Sequence, residues 1–127
     1  MLDKSAASHA LAVIVVDDHD DVAELIAQGL RADGYEAVSA TSAQEALRLA
    51  DIKPPACVLL DVHMPVMDGA ELARRLRERF GGDVTLIAMT GMDESPAQHA
   101  KMHQLVDYYL RKPIDLRLLA KLLPAHT

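Results

Sequence analysis

Apolar residues gather in five short runs along the chain, LAVIVV (11–16), EAVSAT (36–41), ACVLL (56–60), VTLIAM (84–89) and VDYYL (106–110). Each has the length of a strand, and the intervening stretches space their apolar residues as helices do. Val22, Leu25, Ile26 and Leu30 mark a first helix closed by Gly34, a residue suited to the left-handed turn at a helix C-terminus. Ser42 stands where an N-cap belongs; the second helix runs through Ala46, Leu47 and Ala50 and stops before Pro54 and Pro55. The third starts near Asp68, aligns Leu72, Leu76 and Phe80 on one face with arginines opposite, and ends at Gly81 and Gly82. A fourth, about 94–104, is mostly polar, with Met102 and Leu105 as its strong apolar positions. The last begins at Asp115 and is expected to bury Leu118, Leu119 and Leu122.

Strict strand-helix alternation, with strands apolar on both faces, predicts an α/β fold whose parallel sheet is covered by helices on each side. Right-handed crossovers leave the doubly wound, flavodoxin-like order 2-1-3-4-5, in which ligands sit beyond the carboxyl ends of strands 1 and 3. The 127 residues make one domain, expected as a loose tail over 1–10 and a folded unit over 11–127. Thirteen basic against 19 acidic residues give a net charge of −6, which argues against nucleic acid or an anionic membrane as the main partner. The longest unbroken apolar run, Ala10 to Val16, is too short to span a bilayer, and the N-terminus lacks a signal-peptide core, so a cytoplasmic location is expected. Cys57 reads as a small buried hydrophobe.

The strand ends carry the chemistry. Strand 1 runs into Asp17 and Asp18, strand 3 into Asp61, strand 4 into Thr90 and strand 5 into Lys112. Three carboxylates in one crevice repel one another unless a cation lies among them. Hard oxygen donors and few protein ligands suit Mg²⁺, which keeps positions open for water and a phosphate oxygen. A phosphoryl group then becomes the natural substrate, Asp61 the nucleophile, and Thr90 and Lys112 donors to the phosphoryl oxygens. Taken singly, each residue has an ordinary explanation: acids favour a helix N-terminus, and lysines favour solvent. It is their arrival at one sheet edge that selects the site. His99 and His103, four apart on the fourth helix, read as a solvated face because no HExxH glutamate or third ligand accompanies them.

VVDDHDD, LLDVHMPVMDG, MTG and YYLRKP together resemble the receiver domains of two-component response regulators, the CheY-like family, over about residues 11–124. The resemblance implies Asp18 as a direct metal carboxylate and Asp17 holding a metal-bound water, or the two with these duties exchanged, Asp61 as ligand and phosphoacceptor, and the His63 backbone carbonyl as a further ligand. It also implies a cis Lys112–Pro113 bond and a switch in which Thr90 turns toward the phosphorylated Asp61 and Tyr109 follows. The face built by the fourth helix, fifth strand and last helix is reshaped; Tyr108 is the alternative to Tyr109. The phosphoryl donor is expected to be a histidine kinase or phosphotransfer protein. With nothing after Thr127, the expected target is a separate protein, and the chain a monomer or phosphorylation-dependent dimer. A domain consumed in each cycle is not an enzyme. The segment HQLVD (103–107) departs from the small-residue turn common in the family. His63 is expected to lie at the site mouth and tune the acyl-phosphate lifetime. Two competing readings are a phosphohydrolase of the DxD type, which needs an acid where His63 stands, and a receiver-like module that binds without turning over phosphate.

Overall fold

Successive residues of a strand point to opposite faces of a sheet, and the runs AVIVV, CVLLD and TLIAMT are apolar at nearly every position, so both faces of their strands demand cover. The computed structural model, which describes residues 11–64, 67–91 and 96–124, supplies it with helices. The order is β1 (Ala12–Val16), α1 (Asp20–Ala32), β2 (Glu36–Ala40), α2 (Ala43–Ile52), β3 (Cys57–Asp61), α3 (Gly69–Phe80), a 3-10 turn (Gly81–Asp83), β4 (Thr85–Thr90), α4 (Pro96–Leu105), β5 (Tyr108–Arg111) and α5 (Leu116–Leu122). The five strands form one parallel sheet in the order β2-β1-β3-β4-β5. The tail expected at 1–10 and the start expected for the fourth helix at 94 lie outside the described residues.

Two cores result. Val13, Val15, Leu59, Ile87 and Met89 pack with Ile26 and Leu30 of α1 and Leu119 of α5. On the other face Ile14, Val16, Val58, Leu60 and Leu86 pack with Leu47 of α2, Leu72 and Leu76 of α3 and Met102 of α4. Each large side chain removed from water contributes roughly 1.5–3 kcal/mol, which makes the sandwiched central strands a rigid base for whatever their ends carry.

Local chemistry sets the boundaries where the sequence places them. Gly34, at φ 95°, closes α1, and the Tyr35 N–H reaches back to the Leu30 carbonyl at 3.1 Å. Ser42 caps α2 by accepting from the Glu45 N–H, and Asp68 caps α3 by accepting from the Glu71 N–H. Asp115 does the same for α5. At the β2 edge, Arg31 donates from Nε to the Ala37 carbonyl while its guanidinium pairs with Glu24. A charged side chain on an edge carbonyl discourages pairing with another chain.

Two expectations need correction. Leu118 is 46% exposed while Leu119 is fully buried; adjacent residues of an α-helix point about 100° apart, and in this short helix the inward direction falls on Leu119. The fifth strand starts at Tyr108, not Val106. Just before it, Asp107 is tied sideways, its N–H donating to the Leu86 carbonyl and its carboxylate accepting from the Leu86 N–H, both at 2.8 Å. Among the described residues no helix is long and apolar enough to cross a membrane.

Candidate functional site

Parallel register builds the site. Val16 of β1 lies beside Leu60 of β3, so the next residues, Asp17 and Asp61, leave the sheet side by side at its carboxyl edge. Asp61 neighbours Met89, and Thr90 neighbours Arg111, which brings Thr90 and Lys112 to the same edge. The Lys112 N–H completes the ladder on the Thr90 carbonyl at 2.9 Å, and the Lys112–Pro113 bond is cis, as the resemblance implied. The end of β2 takes no part, because Ser42 is occupied as the cap of α2.

Asp17 is completely buried and Asp61 is 4% exposed, and both face the Lys112 ammonium. Lys112 Nζ stands 2.7 Å from Asp17 Oδ2 and 3.2 Å from Asp61 Oδ2. The remaining oxygens accept backbone donors: Asp17 Oδ1 from the His19 N–H at 3.0 Å, Asp61 Oδ1 from the His63 N–H at 3.3 Å. One cation shared by two buried carboxylates leaves them unequal. Burial works against an ionised Asp17, but the Lys112 and His19 hydrogen bonds prevail and hold its carboxyl below the usual range. Burial, with the adjacent Asp17 charge, pushes the Asp61 carboxyl up, and Lys112 only partly offsets this. Burial likewise opposes the Lys112 charge, but Asp17 and Asp61 outweigh it and raise its pKa.

Asp18 lies on the rim with its side chain 32% exposed. Among the described residues, one ligand atom each from Asp17, Asp18, His19 and Asp61 lies within 4.8 Å of the others. The donor set fits a hard divalent ion: carboxylate oxygens predominate, and a single lysine leaves net negative charge in the crevice. Sequence reasoning missed His19. Its Nδ1 lies 3.1 Å from Asp17 Oδ1 and 3.3 Å from Asp18 Oδ1, and these two carboxylates raise its pKa, the Asp17 hydrogen bond most. The signal was present in VVDDHDD, where a residue two beyond Asp17 returns to the carboxylate through a short turn.

The other expected residues surround this centre. The His63 backbone approaches Asp61, while its side chain is on the exposed side of the loop. Thr90 is half-buried, and its hydroxyl donates to the Gly91 carbonyl at 3.1 Å. Tyr109 lies away from the carboxylates, against α4, with its hydroxyl donating to the His99 carbonyl at 2.9 Å. Tyr108, the alternative, is 43% exposed. Gly69 was quoted only as the end of a motif, yet the site depends on it: a Cβ there would meet the Asp61 carbonyl oxygen at 2.4 Å. In the same close approach the Gly69 N–H donates to the Val62 carbonyl at 3.2 Å.

Comparison with known proteins agrees with this geometry. The family model for the response regulator receiver domain matches residues 13–124. The transcriptional regulatory protein PrrA of Mycobacterium tuberculosis is 36% identical over 104 residues, 82% of this chain and 44% of PrrA. The alkaline phosphatase synthesis transcriptional regulatory protein PhoP of Bacillus subtilis is 30% identical over 108 residues, 83% of this chain and 43% of PhoP. A CheY-like receiver domain protein from Methanospirillum hungatei superposes with a TM-score of 0.81 at 26% identity, over 88% of this chain and 89% of that one.

These relatives overturn one expectation. The sequence argument excluded nucleic acid and assigned a separate protein as the target, but PrrA and PhoP are by name regulators of transcription. The net charge of −6 describes the surface of this chain alone, and the chain spans less than half the length of either relative. With its strand order, its strand-end residues and the match over 13–124, the chain belongs to the response regulator receiver domain family of two-component signalling.

Proposed function

We propose that Asp61 accepts a phosphoryl group from a phosphohistidine of a histidine kinase or phosphotransfer protein, in a Mg²⁺-dependent step. The observation that carries this is the buried Asp17–Lys112–Asp61 arrangement at the carboxyl ends of β1 and β3, with Asp18 on its rim. The carboxylates of Asp17, Asp18 and Asp61 and the His63 carbonyl would hold Mg²⁺, which supplies charge neutralisation on the phosphoryl oxygens.

Asp61 attacks phosphorus through a carboxylate oxygen; the O–P bond forms as the donor's N–P bond breaks, and the leaving imidazole takes up a proton. Buried against the base of the sheet, Asp61 has little freedom to misalign. Lys112, already at 3.2 Å from Asp61, gives its ammonium to an oxygen of the acyl phosphate. Thr90 turns its hydroxyl from the Gly91 carbonyl to the same group. Such a charged hydrogen bond is worth roughly 1.5–3 kcal/mol, enough to shift a two-state equilibrium by about ten- to a hundredfold. Tyr109 follows Thr90 inward, and the face of α4, β5 and α5 changes shape. The domain carries the phosphoryl group on its own side chain rather than acting as an enzyme on a substrate pool. The names of PrrA and PhoP support control of transcription as the output.

The test is an intact mass spectrum after incubation with Mg²⁺ and a small acyl-phosphate donor. One added phosphoryl group, lost on chelation of the metal and in Asp61→Asn, is expected. Steady release of phosphate from the donor without any adduct would instead point to a hydrolase.

A further inference from the structure

The histidine pair on α4 is not merely solvated. His99 and His103 are exposed, but their rings lie 5.8 Å apart at an interplanar angle of 15°, and both face Tyr109. The Tyr109 ring stacks on His99 at a centroid distance of 4.6 Å and an angle of 25°, and lies 5.9 Å from His103. Its hydroxyl donates to the His99 backbone carbonyl. The half-buried ring is therefore engaged by α4 at two side chains and one carbonyl.

We propose that His99 and His103 are positioning residues, forming an aromatic clasp that holds Tyr109 against α4 and sets how much of the unphosphorylated domain occupies the switched arrangement. This rests on the reading of Tyr109 as the residue that follows Thr90. A tyrosine that turns inward must leave the His99 ring and give up the bond to the His99 carbonyl. The clasp stabilises the resting arrangement only, so removing it shifts the balance toward the switched one by linkage. Offset aromatic pairs are worth enough for a roughly two- to tenfold change in that balance.

The full chain is labelled with ¹³C in its tyrosine rings and titrated with beryllofluoride, a phosphoryl mimic, in Mg²⁺. In the parent, the Tyr109 resonance is expected to move on binding. The double variant His99→Ala, His103→Ala should show that resonance part of the way to its bound position before any ligand is added, and should bind beryllofluoride several-fold more tightly. His99→Phe, which keeps a ring on Tyr109, should stay near the parent in both respects. An unmoved resonance and unchanged affinity in the double variant, with the parent still responding, would overturn the clasp alone. A parent that binds beryllofluoride without moving Tyr109 would overturn the clasp by removing the switch role of Tyr109. A parent that fails to bind it would count against the Asp61 reading beneath both.

Discussion

α3 and α4 occupy equivalent places in the fold, each following a strand that delivers a site residue, yet they are held in opposite ways. α3 buries Leu72, Ala73 and Leu76 completely, is capped by Asp68, and carries Arg74 and Arg75 on Glu71, with Arg74 also on Glu78. α4 buries only Met102 among its described side chains. Its C-terminal end is tethered from α3, where Arg77 Nε donates to the Leu105 carbonyl at 2.9 Å and Arg77 Nη2 pairs with Asp107 at 2.7 Å. Met102 packs into the core beneath it, and Tyr109 contacts it at the His99 ring and carbonyl. α3 is thus the firmer scaffold: a helix with few buried contacts opens at lower cost, and in α4 Arg77 holds the C-terminal end against α3.

The largest effect should come from Gly69→Ala. The added methyl meets backbone oxygen, which cannot yield as a side-chain tip can. The loop after Asp61 must shift, and phosphorylation measured by intact mass should be almost abolished. Normal phosphorylation would mean that the start of α3 is not rigid. Leu76→Ala should follow, lowering global stability by about 2–5 kcal/mol in urea titrations. Met102→Ala sharpens the contrast, because its loss should appear first as faster amide exchange confined to α4; equal exchange in α3 would break the comparison. Arg77→Ala removes charged hydrogen bonds worth roughly 1.5–3 kcal/mol when well formed, less here because Arg77 and Asp107 are partly exposed. Faster exchange should be concentrated at 105–107. Asp68→Ala should remove about 1 kcal/mol with its cap.

A smaller effect tests the electrostatics. Asp61 has its carboxyl pKa raised above the ordinary 3.8 by burial and by Asp17, so the folded state holds its proton more tightly than the unfolded one. That contribution is fully present below the unfolded value and is lost as pH rises through the folded value. Without divalent ions, the parent should therefore lose stability relative to Asp61→Asn across the window just above pH 3.8, and Mg²⁺ should reverse the difference at neutral pH. Parallel urea midpoints for the two proteins at every pH would contradict it.

Much of this was legible in the chain. AVIVV, CVLLD and TLIAMT have no polar face, so they had to lie between helices, and a parallel sheet then gathers Asp17, Asp61, Thr90 and Lys112 at one edge. Gly34, Ser42 and Asp68 announced their turns and caps by residue type alone. What stayed hidden depends on partners distant in sequence or on backbone groups that carry no letter. Arg77 looked like one more arginine on a polar face, because three of its acceptors are the carbonyls of Gly81, Val84 and Leu105. The same tether explains why HQLVD can replace a small-residue turn: Asp107 and Arg77 fix the segment with side chains. His99 and His103 were seen as neighbours, but Tyr109 reaches them only through the fold. The partner inference failed for another reason: the charge of the matched region, under half of PrrA or PhoP, does not report what those regulators of transcription act on.

The phosphoryl group is expected on the buried carboxylate between Lys112 and the His63 N–H. Hydride trapping tests it most directly, because borohydride converts an aspartyl phosphate to homoserine and peptide sequencing by mass spectrometry then locates it. After loading with a small acyl-phosphate donor and Mg²⁺, homoserine should appear at position 61 and nowhere else. Homoserine at position 17 or 18, or its absence from a protein that has gained the mass of a phosphoryl group, would contradict the account.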